Sequence, residues 1–286
     1  LKYTGATAAG AWATGNNMNT ARETLAGAGT QTAALGFGGY VTAPSGATEE
    51  YDGTSWVNSP GSLNTSRYYI AGCGTQTAAL GFGGYAGSTP YLNATEEYNG
   101  SSWTSSNPLN TARLAMGGAG TQTAGLGFGG EIPPTGFTGA TEEYDGNSWT
   151  TSAGSLNTSR GYLTGAGTQT AAVGFGGYAG STPYLNATEE YNGTSWATSG
   201  SLNTARYSLA GAGTQTSALA FGGSIPPFTG ATEEYNGATW ASNPTGLNTA
   251  RVYLGGAGIQ TSALAFGGET TVATAATEEW TGAGAP

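Results

Sequence analysis

Residues 206–240 read RYSLAGAGTQTSALAFGGSIPPFTGATEEYNGATW, and related segments make up most of the chain. Each copy contains a leading Arg, a Gly-Gly pair and a Thr-Glu-Glu triplet followed by an aromatic residue. The six leading arginines are spaced 45 to 47 residues apart: Arg22, Arg67, Arg113, Arg160, Arg206 and Arg251. A repeat of this length indicates a repeat architecture, in which most of the repeated residues hold neighbouring units together.

Alternation and turn residues predict four strands, A to D, within residues 206–240. Strand A is predicted over 206–213 and strand B over 217–223, with a polar Thr-Gln-Thr turn between them. Strand C is predicted over 231–236, and strand D begins at 239–240. The Asn-Gly step between C and D favours a tight hairpin, because both turn residues accept positive φ. No segment has helical periodicity, so we predict an all-β fold, a six-bladed β-propeller of four-stranded antiparallel blades.

The repeated residues resemble the kelch motif. In one copy they are Gly83-Gly84, Glu96, Tyr98, Trp103 and Arg113. The chain departs from the usual kelch pattern by a second Glu directly before the Tyr and by A strands rich in Ala and Gly. The copies also resemble those of kelch-repeat proteins of marine bacteriophages and bacteria. The resemblance implies a kelch-like propeller in a virion or cell-surface setting.

We expect residues 1–286 to form a single propeller domain. The chain ends in a strand C at 277–282 and begins with a segment that contains Trp12 but has no strand A, B or C before it. We therefore predict that residues 1–16 supply the outer strand of the closing blade by pairing with the C-terminal strand. This pairing would bury two sheet edges that otherwise invite aggregation.

The repeated charges are expected to stabilise the ring. The kelch resemblance implies that the first Glu of each triplet pairs with the repeated Arg, and we expect six such pairs to lock neighbouring blades together. These glutamates are Glu49, Glu96, Glu142, Glu189, Glu233 and Glu278. The second Glu of each triplet has no repeated basic partner, so we expect it to lie in solvent, with binding of a hard cation such as Ca²⁺ as the alternative. The second glutamates are Glu50, Glu97, Glu143, Glu190, Glu234 and Glu279.

Repeated aromatic residues are expected to fill the space between adjacent blades. A Phe precedes each Gly-Gly pair, and a Trp opens each strand D. The phenylalanines are Phe37, Phe82, Phe128, Phe175, Phe221 and Phe266, and the tryptophans are Trp12, Trp56, Trp103, Trp149, Trp196 and Trp240. In the last copy, Trp280 replaces the Tyr that follows the triplet.

The composition argues against catalysis. The 286 residues include no His, which removes Ser-His-Asp and Cys-His catalysis and the usual imidazole zinc sites. The kelch resemblance also raises galactose oxidase, whose copper site needs histidines and a Cys–Tyr crosslink. The single cysteine, Cys73, occupies a position that is Ala in the other copies, so we interpret it as a small buried residue. We expect no cofactor, no metal and no enzymatic activity.

The charge and hydropathy patterns exclude two classes of partner. A net charge of −10 with only seven basic residues leaves no cationic stripe for a nucleic acid. No apolar run approaches the roughly 20 residues needed to span a bilayer. We therefore expect neither nucleic-acid binding nor membrane insertion.

The antiparallel topology places the B–C and D–A loops on one face of the disc, here called the loop face, and the A–B and C–D turns on the other, the turn face. The B–C loops differ between copies and carry seven aromatic candidates for ligand binding: Tyr40, Tyr85, Tyr91, Phe137, Tyr178, Tyr184 and Phe228. Aromatic rings beside small hydroxyl and amide groups suit a glycan or a protein surface. We predict an extracellular or virion-surface recognition module that binds a glycan or a surface receptor. The alternatives are a structural scaffold that contacts other virion or surface proteins, loops that vary only because they tolerate change, and an enzyme.

Overall fold

The chain forms six four-stranded antiparallel sheets around a central axis, as described by a computed structural model. The structure describes residues 9–87, 91–134, 136–180 and 184–283. These ranges contain strands, turns and bends and no helix. The predicted fold, an all-β propeller with six four-stranded blades, is confirmed.

The strands are numbered in chain order, and the blades are numbered by their leading arginines. Before blade 1 lies β1 (Ala11–Gly15). Blades 1 and 2 contain β2 (Ala26–Thr30), β3 (Ala33–Phe37), β4 (Thr48–Tyr51), β5 (Trp56–Asn58), β6 (Ala71–Thr75), β7 (Ala78–Phe82), β8 (Thr95–Tyr98) and β9 (Trp103–Ser106). Blades 3 and 4 contain β10 (Gly117–Thr121), β11 (Ala124–Phe128), β12 (Glu131–Ile132), β13 (Gly136–Phe137), β14 (Thr141–Tyr144), β15 (Trp149–Thr151), β16 (Thr164–Thr168), β17 (Ala171–Phe175), β18 (Thr188–Tyr191) and β19 (Trp196–Ser199). Blades 5 and 6 contain β20 (Ala210–Thr214), β21 (Ser217–Phe221), β22 (Thr232–Tyr235), β23 (Trp240–Ser242), β24 (Gly255–Ile259), β25 (Ser262–Phe266) and β26 (Thr277–Thr281).

The six A strands form the inner wall of the ring. They are β2, β6, β10, β16, β20 and β24, and each packs against the A strands of both neighbouring blades. A Cβ atom on Gly118 of β10 would lie only 2.8 Å from the carbonyl oxygen of Gly72 in β6, which is closer than ordinary carbon–oxygen contact. The Gly-rich A strands are therefore explained by the close approach of neighbouring backbones at the axis.

Strands A and B are shorter than the sequence pattern predicts. In blade 5, strand A covers Ala210–Thr214 rather than 206–213. The reason is Ser208, whose φ of 51° lies in the left-handed region and interrupts the extended chain. Strand B ends at Phe221, because both residues of Gly222–Gly223 adopt positive φ, at 66° and 103°.

The N-terminal strand completes the sixth blade, as predicted. The strand β1 pairs antiparallel with β26, and Trp12 lies opposite Trp280 in the register. The two indole rings pack with their centroids 5.3 Å apart. Of the predicted outer strand, residues 1–16, the structure places Ala11–Gly15 in the sheet, and residues 1–8 lie outside the described residues.

The repeated aromatic residues pack between blades, as expected. Phe37 of blade 1 lies against Trp103 of blade 2, with ring centroids 4.7 Å apart. The indole N–H of Trp103 also donates to the hydroxyl of Thr48 in blade 1, at 2.9 Å. Equivalent Trp-to-Thr hydrogen bonds occur at all six seams, because each triplet Thr is buried beside the next blade. The seam therefore combines apolar burial with a satisfied buried donor.

The glutamine of each A–B turn forms a second link between blades that the sequence pattern did not reveal. Gln122 of blade 3 donates its side-chain amide to the carbonyl oxygens of Ala79 and Tyr98 in blade 2, at 3.1 and 2.6 Å. All six turn glutamines make the equivalent pair of bonds. The uniformity of the turn face follows from this shared structural role.

Six buried ion pairs form between the predicted arginines and glutamates. Their N···O distances run from 2.5 to 3.1 Å, and none of the side chains is more than 3% exposed. Burial lowers the pKa of Arg22 to about 10, and Glu49 opposes this effect, so the guanidinium group stays charged at neutral pH. Each pair therefore places two opposite charges in the interior, where each charge is stabilised by the other.

Both partners of each ion pair lie in the same repeat, contrary to the expectation that the pairs bridge neighbouring blades. Arg113 and Glu142 both belong to blade 3, and the second oxygen of Glu142 accepts the main-chain N–H of Asn110 in the connection arriving from blade 2, at 2.7 Å. The link to blade 2 is made by the backbone, since the carbonyl oxygen of Arg113 accepts the N–H of Gly84 at 2.8 Å. Each arginine thus joins two blades, by its side chain in one and its main chain in the other.

The second Glu of the triplets has a partner, contrary to the expectation that it lies free in solvent. Glu50 of blade 1 accepts the hydroxyl of Tyr98 in blade 2 at 2.5 Å. The same bond joins Glu97 to Tyr144 and the corresponding residues of three further seams. At the seam between blades 5 and 6, Trp280 replaces the Tyr, and Glu234 instead accepts the side-chain amide of Asn243 at 2.9 Å.

We predict that Glu142→Gln destabilises the fold by about 3–5 kcal/mol, because Arg113 would keep a buried charge without its counter-ion. Urea denaturation of the two proteins measures the difference. The matched control is Asp145→Asn, three residues away in an exposed turn where other blades carry Asn, and it should shift stability by less than about 0.5 kcal/mol. An unchanged urea midpoint for Glu142→Gln would show that the pair contributes nothing to stability.

Candidate functional site

The B–C loops lie together on the loop face and surround the opening of the axis. They were predicted over 40–46, 85–93, 131–139, 178–186, 224–230 and 269–275, and residues 88–90, 135 and 181–183 of these loops lie outside the described residues. Each described loop begins with an isolated bridge to the segment after the leading arginine, for example Tyr68 with Tyr85. The bridges fix each loop base beside the axis. In blade 3, the loop contains an unpredicted antiparallel pair of two-residue strands, β12 and β13.

Six of the seven predicted aromatic residues belong to one continuous set of packed rings, here called the tyrosine network. Neighbouring ring centroids lie 4.6 to 6.2 Å apart. The predicted members are Tyr40, Tyr85, Tyr91, Phe137, Tyr178 and Tyr184. All six are half-buried, because they pack on one another and do not project freely into solvent as the sequence suggested.

Phe228 does not join the network. Within the described residues, no aromatic ring packs against Phe228. Its backbone forms an isolated β-bridge with Ser224 in its own loop. Six of the seven candidates are thus packed together, and the role of the set in ligand binding stays a prediction.

Five tyrosines of the network were missed by the sequence analysis. They are Tyr68, Tyr69, Tyr162, Tyr207 and Tyr253, and each follows a leading arginine by one or two residues. These positions were assigned to strand A, where alternate side chains would be buried in the blade. The available signal was their variation: the pair of residues after the arginine is different in every copy, whereas the residues around it repeat.

A ring of six hydrogen bonds encircles the axis at the loop face. The second residue after each arginine donates its main-chain N–H to the carbonyl oxygen of the equivalent residue in the preceding blade, at 2.8 to 3.0 Å. The six residues are Thr24, Tyr69, Ala115, Tyr162, Ser208 and Tyr253. All six adopt φ between 51° and 58°, a conformation that costs free energy for residues other than Gly and persists only when surrounding contacts require it. The closed ring supplies those contacts.

The side chains of this ring shape a small opening, here called the mouth pocket. Tyr69 lies edge-to-face against both Tyr162 and Tyr253, with centroids 5.5 and 5.6 Å apart. The smaller residues Thr24, Ala115 and Ser208 also line this cavity of about 90 Å³, together with the Leu, Ile or Met that follows each ring residue. Burial raises the pKa of the Tyr69 and Tyr162 hydroxyls, so both remain protonated at any physiological pH.

Below the mouth, the channel is lined first by apolar side chains and then by the small residues of the A strands. The next residue of each blade forms a layer of six side chains: Leu25, Ile70, Met116, Leu163, Leu209 and Leu254. Beneath it, a cavity of about 150 Å³ is lined by the Ala and Gly residues of the A strands, as expected. Cys73 lines the far end, and burial raises the pKa of its thiol to about 12. The thiol is thus buried and protonated, as its small-residue position suggested.

Three carboxylates around the mouth were also missed. Glu131 accepts the hydroxyls of Tyr91 and Tyr162, at 2.8 and 3.2 Å. Burial and the adjoining carboxyl group of Glu269 raise the pKa of Glu23 to about 7. Glu23, Glu131 and Glu269 stand at repeat positions where other copies carry Tyr, Leu, Gly, Val or Ser. This break in the repeat is the sequence signal that could have identified them.

The loop face is acidic in the described part of the chain. All six arginines are fully buried and ion-paired, and the seventh basic residue, Lys2, lies outside the described residues. No group of three or more His, Cys, Asp or Glu residues in the described ranges is placed to hold a metal ion. The described part of the loop face therefore presents aromatic rings, hydroxyl groups and carboxylates, and it presents no exposed cation.

Comparison with known proteins gives no family for the chain. No protein-family model matches it, and no curated protein matches its sequence. Among the described residues, no helix has the length and apolar character needed to cross a membrane.

We predict that stability decreases as pH rises from about 5 to about 8. Glu23 has a pKa of about 7 in the folded protein and an ordinary value near 4.5, so the folded state binds more protons between these values. The stabilisation is present below the unfolded pKa and is lost as pH rises through the folded pKa. Thermal denaturation across this range should show the decrease in wild type, and Glu23→Gln should flatten it.

The control for this pH dependence is Asp145→Asn on the turn face. The backbone N–H groups of Ser148 and Asn147 lower the pKa of Asp145, so its titration falls below the pH range of interest. The variant should therefore keep the wild-type slope. A wild-type slope in Glu23→Gln would show that another group is responsible.

Proposed function

We propose that this chain is a non-catalytic recognition module of the kelch type whose loop face binds a glycan or a surface receptor. The observation that carries the proposal is the tyrosine network, in which ten tyrosines and Phe137 pack side by side across the loops of several blades. Tyrosine offers a large apolar face and a hydroxyl group with few rotatable bonds, and is therefore common in binding surfaces. The carboxylate of Glu131 adds acceptors among these rings.

The rigid backbone beneath the network supports this proposal. Loop bases are bridged to the segments after the arginines, and those segments are joined by the ring of hydrogen bonds. Binding to such a surface requires little ordering of the loops, and ordering costs weaken many interfaces. The blades differ in the side chains and lengths of their B–C loops, while this base is common to all six, as recognition of an asymmetric ligand requires.

The kelch assignment and the setting are part of the same proposal. They rest on the Gly-Gly, Glu, Tyr, Trp and Arg pattern and on its likeness to repeats of marine bacteriophages and bacteria. We propose a virion or cell-surface location, where an acidic module would act as an adhesin. The acidic loop face favours these partners over nucleic acids, whose phosphates require cationic side chains.

A structural scaffold is the second candidate, and one observation favours it. The rings of the network are half-buried against one another, so they also cover the tops of the blades. In that case the chain would contact other proteins of a virion or surface assembly and would bind no soluble ligand.

We predict that Tyr85→Ala and Tyr178→Ala together abolish binding on a glycan array and attachment to host cells while changing the melting temperature only slightly. Thr123→Ala, an exposed substitution on the turn face, is the matched control and should bind like wild type. A large fall in melting temperature, combined with no glycan or cell binding by wild type, would instead support the scaffold.

A further inference from the structure

The mouth pocket contains a buried polar atom that lacks a partner. Ser208 is only 8% exposed, it lines the pocket beside the hydroxyl of Tyr253, and its hydroxyl oxygen has no hydrogen-bond partner within 3.5 Å in the described residues. The equivalent hydroxyl of Thr24 is satisfied, since it donates to the carbonyl oxygen of Glu23 at 2.6 Å. An unpaired buried hydroxyl is unfavourable, and a ligand in the pocket that donates a hydrogen bond would relieve it.

A second unsatisfied atom lies at the rim. The Oε2 atom of Glu23 is buried without a hydrogen-bond donor, and the adjoining side chain is another carboxyl group, Glu269. Two carboxylates in contact repel each other, so a proton or a bound cation is needed between or beside them. Both glutamates act electrostatically on mouth tyrosines, Glu23 on Tyr69 and Glu269 on Tyr253. The negative potential therefore extends to the pocket.

We propose that the mouth pocket binds a primary ammonium group. The aromatic rings of Tyr69, Tyr162 and Tyr253 line the pocket, and cations are attracted to aromatic faces. A primary ammonium donates to the hydroxyl of Ser208, and the carboxylates of Glu23 and Glu269, which adjoin the pocket but do not line it, attract its charge. This inference rests on the proposed function of the loop face and names the chemical group that it recognises.

Donor number and ligand requirements distinguish this group from other cations. The cavity of about 90 Å³ has room for an ammonium head. A quaternary ammonium has no N–H and would leave Ser208 unsatisfied. A hard metal ion requires six or more oxygen ligands, and the described residues contain no cluster of three carboxylates for it.

Two sources could supply the ammonium group: a lysine side chain of a protein receptor, or an amino sugar of a glycan. Calorimetric titration at low salt and pH 7, where both amines are mostly protonated, distinguishes them, using Nα-acetyl-lysine methylamide and glucosamine as probes. The N-acetylated form of each probe is the uncharged match. Binding of either amine supports the proposal, the tighter one identifies the source, and acetylation should weaken binding at least about tenfold.

Three variants test the assignment to this pocket. Ser208→Ala is compatible with the fold, because Ala115 has the same position and a φ of 53° in blade 3, and it should weaken amine binding several-fold. The double variant Glu23→Gln with Glu269→Gln should weaken it about tenfold. Asp145→Asn removes a charge from the turn face and should leave the affinity unchanged. Melting temperatures of all three variants separate loss of the site from loss of folding.

Three results would overturn the proposal: equal binding of an amine and its acetylated form, unchanged affinity in both loop-face variants, or tetramethylammonium binding as tightly as the amines. If neither amine binds but wild type binds an uncharged glycan through Tyr85 and Tyr178, the recognition function stands and this inference fails. If nothing binds, both fail together.

Discussion

The buried arginine at the start of each repeat is the constraint on which the loop face depends. A charged guanidinium group without solvent requires an opposite charge, and Glu142 supplies it to Arg113 at 2.8 Å. The carbonyl oxygen of the same arginine is held by the Gly-Gly pair of the preceding blade. The chain is therefore fixed in both blades immediately before it turns at the axis. The variable side chains of the loop face, one and two residues later, stand on this anchored base.

The mouth combines a six-fold backbone with side chains that alternate in size. Tyrosine occupies the ring position in blades 2, 4 and 6, and Thr24, Ala115 and Ser208 occupy it in blades 1, 3 and 5. Adjacent ring residues are linked by hydrogen bonds, so six large side chains would crowd the same small opening. The alternation agrees with the two-blade offset at which residues 85–100 repeat as 178–193. Duplication of blade pairs thus accounts for the pocket as well as for the loops.

Contacts within a repeat could be predicted from the sequence, and contacts between repeats mostly could not. Hairpin turns, blade number, closure by Trp12 and the Arg–Glu pairs follow from local patterns or from the kelch resemblance. Alternation assigns Glu50 to a strand face, but it does not reveal that Tyr98 of the next blade meets that face. The turn glutamines were missed for the same reason. The tyrosines after the arginines were missed because the left-handed residue just before strand A has no fixed identity: Tyr69 and Ala115 both adopt that conformation.

The two faces of the disc use their polar groups differently, and this difference determines which face is able to specialise. On the turn face, side chains perform the structural work: Gln122 holds the carbonyl oxygens of the neighbouring blade, and Asp145 holds two N–H groups of its own turn. Loss of the Gln122 amide would remove buried hydrogen bonds, whereas Asn in place of Asp145 keeps the acceptor oxygen, as Asn99 does in blade 2. On the loop face, the main chain closes its own ring of hydrogen bonds, so side chains at the same positions vary without disturbing it. An unsatisfied hydroxyl such as that of Ser208 is tolerated only in such a setting, where the backbone beneath it is already secured.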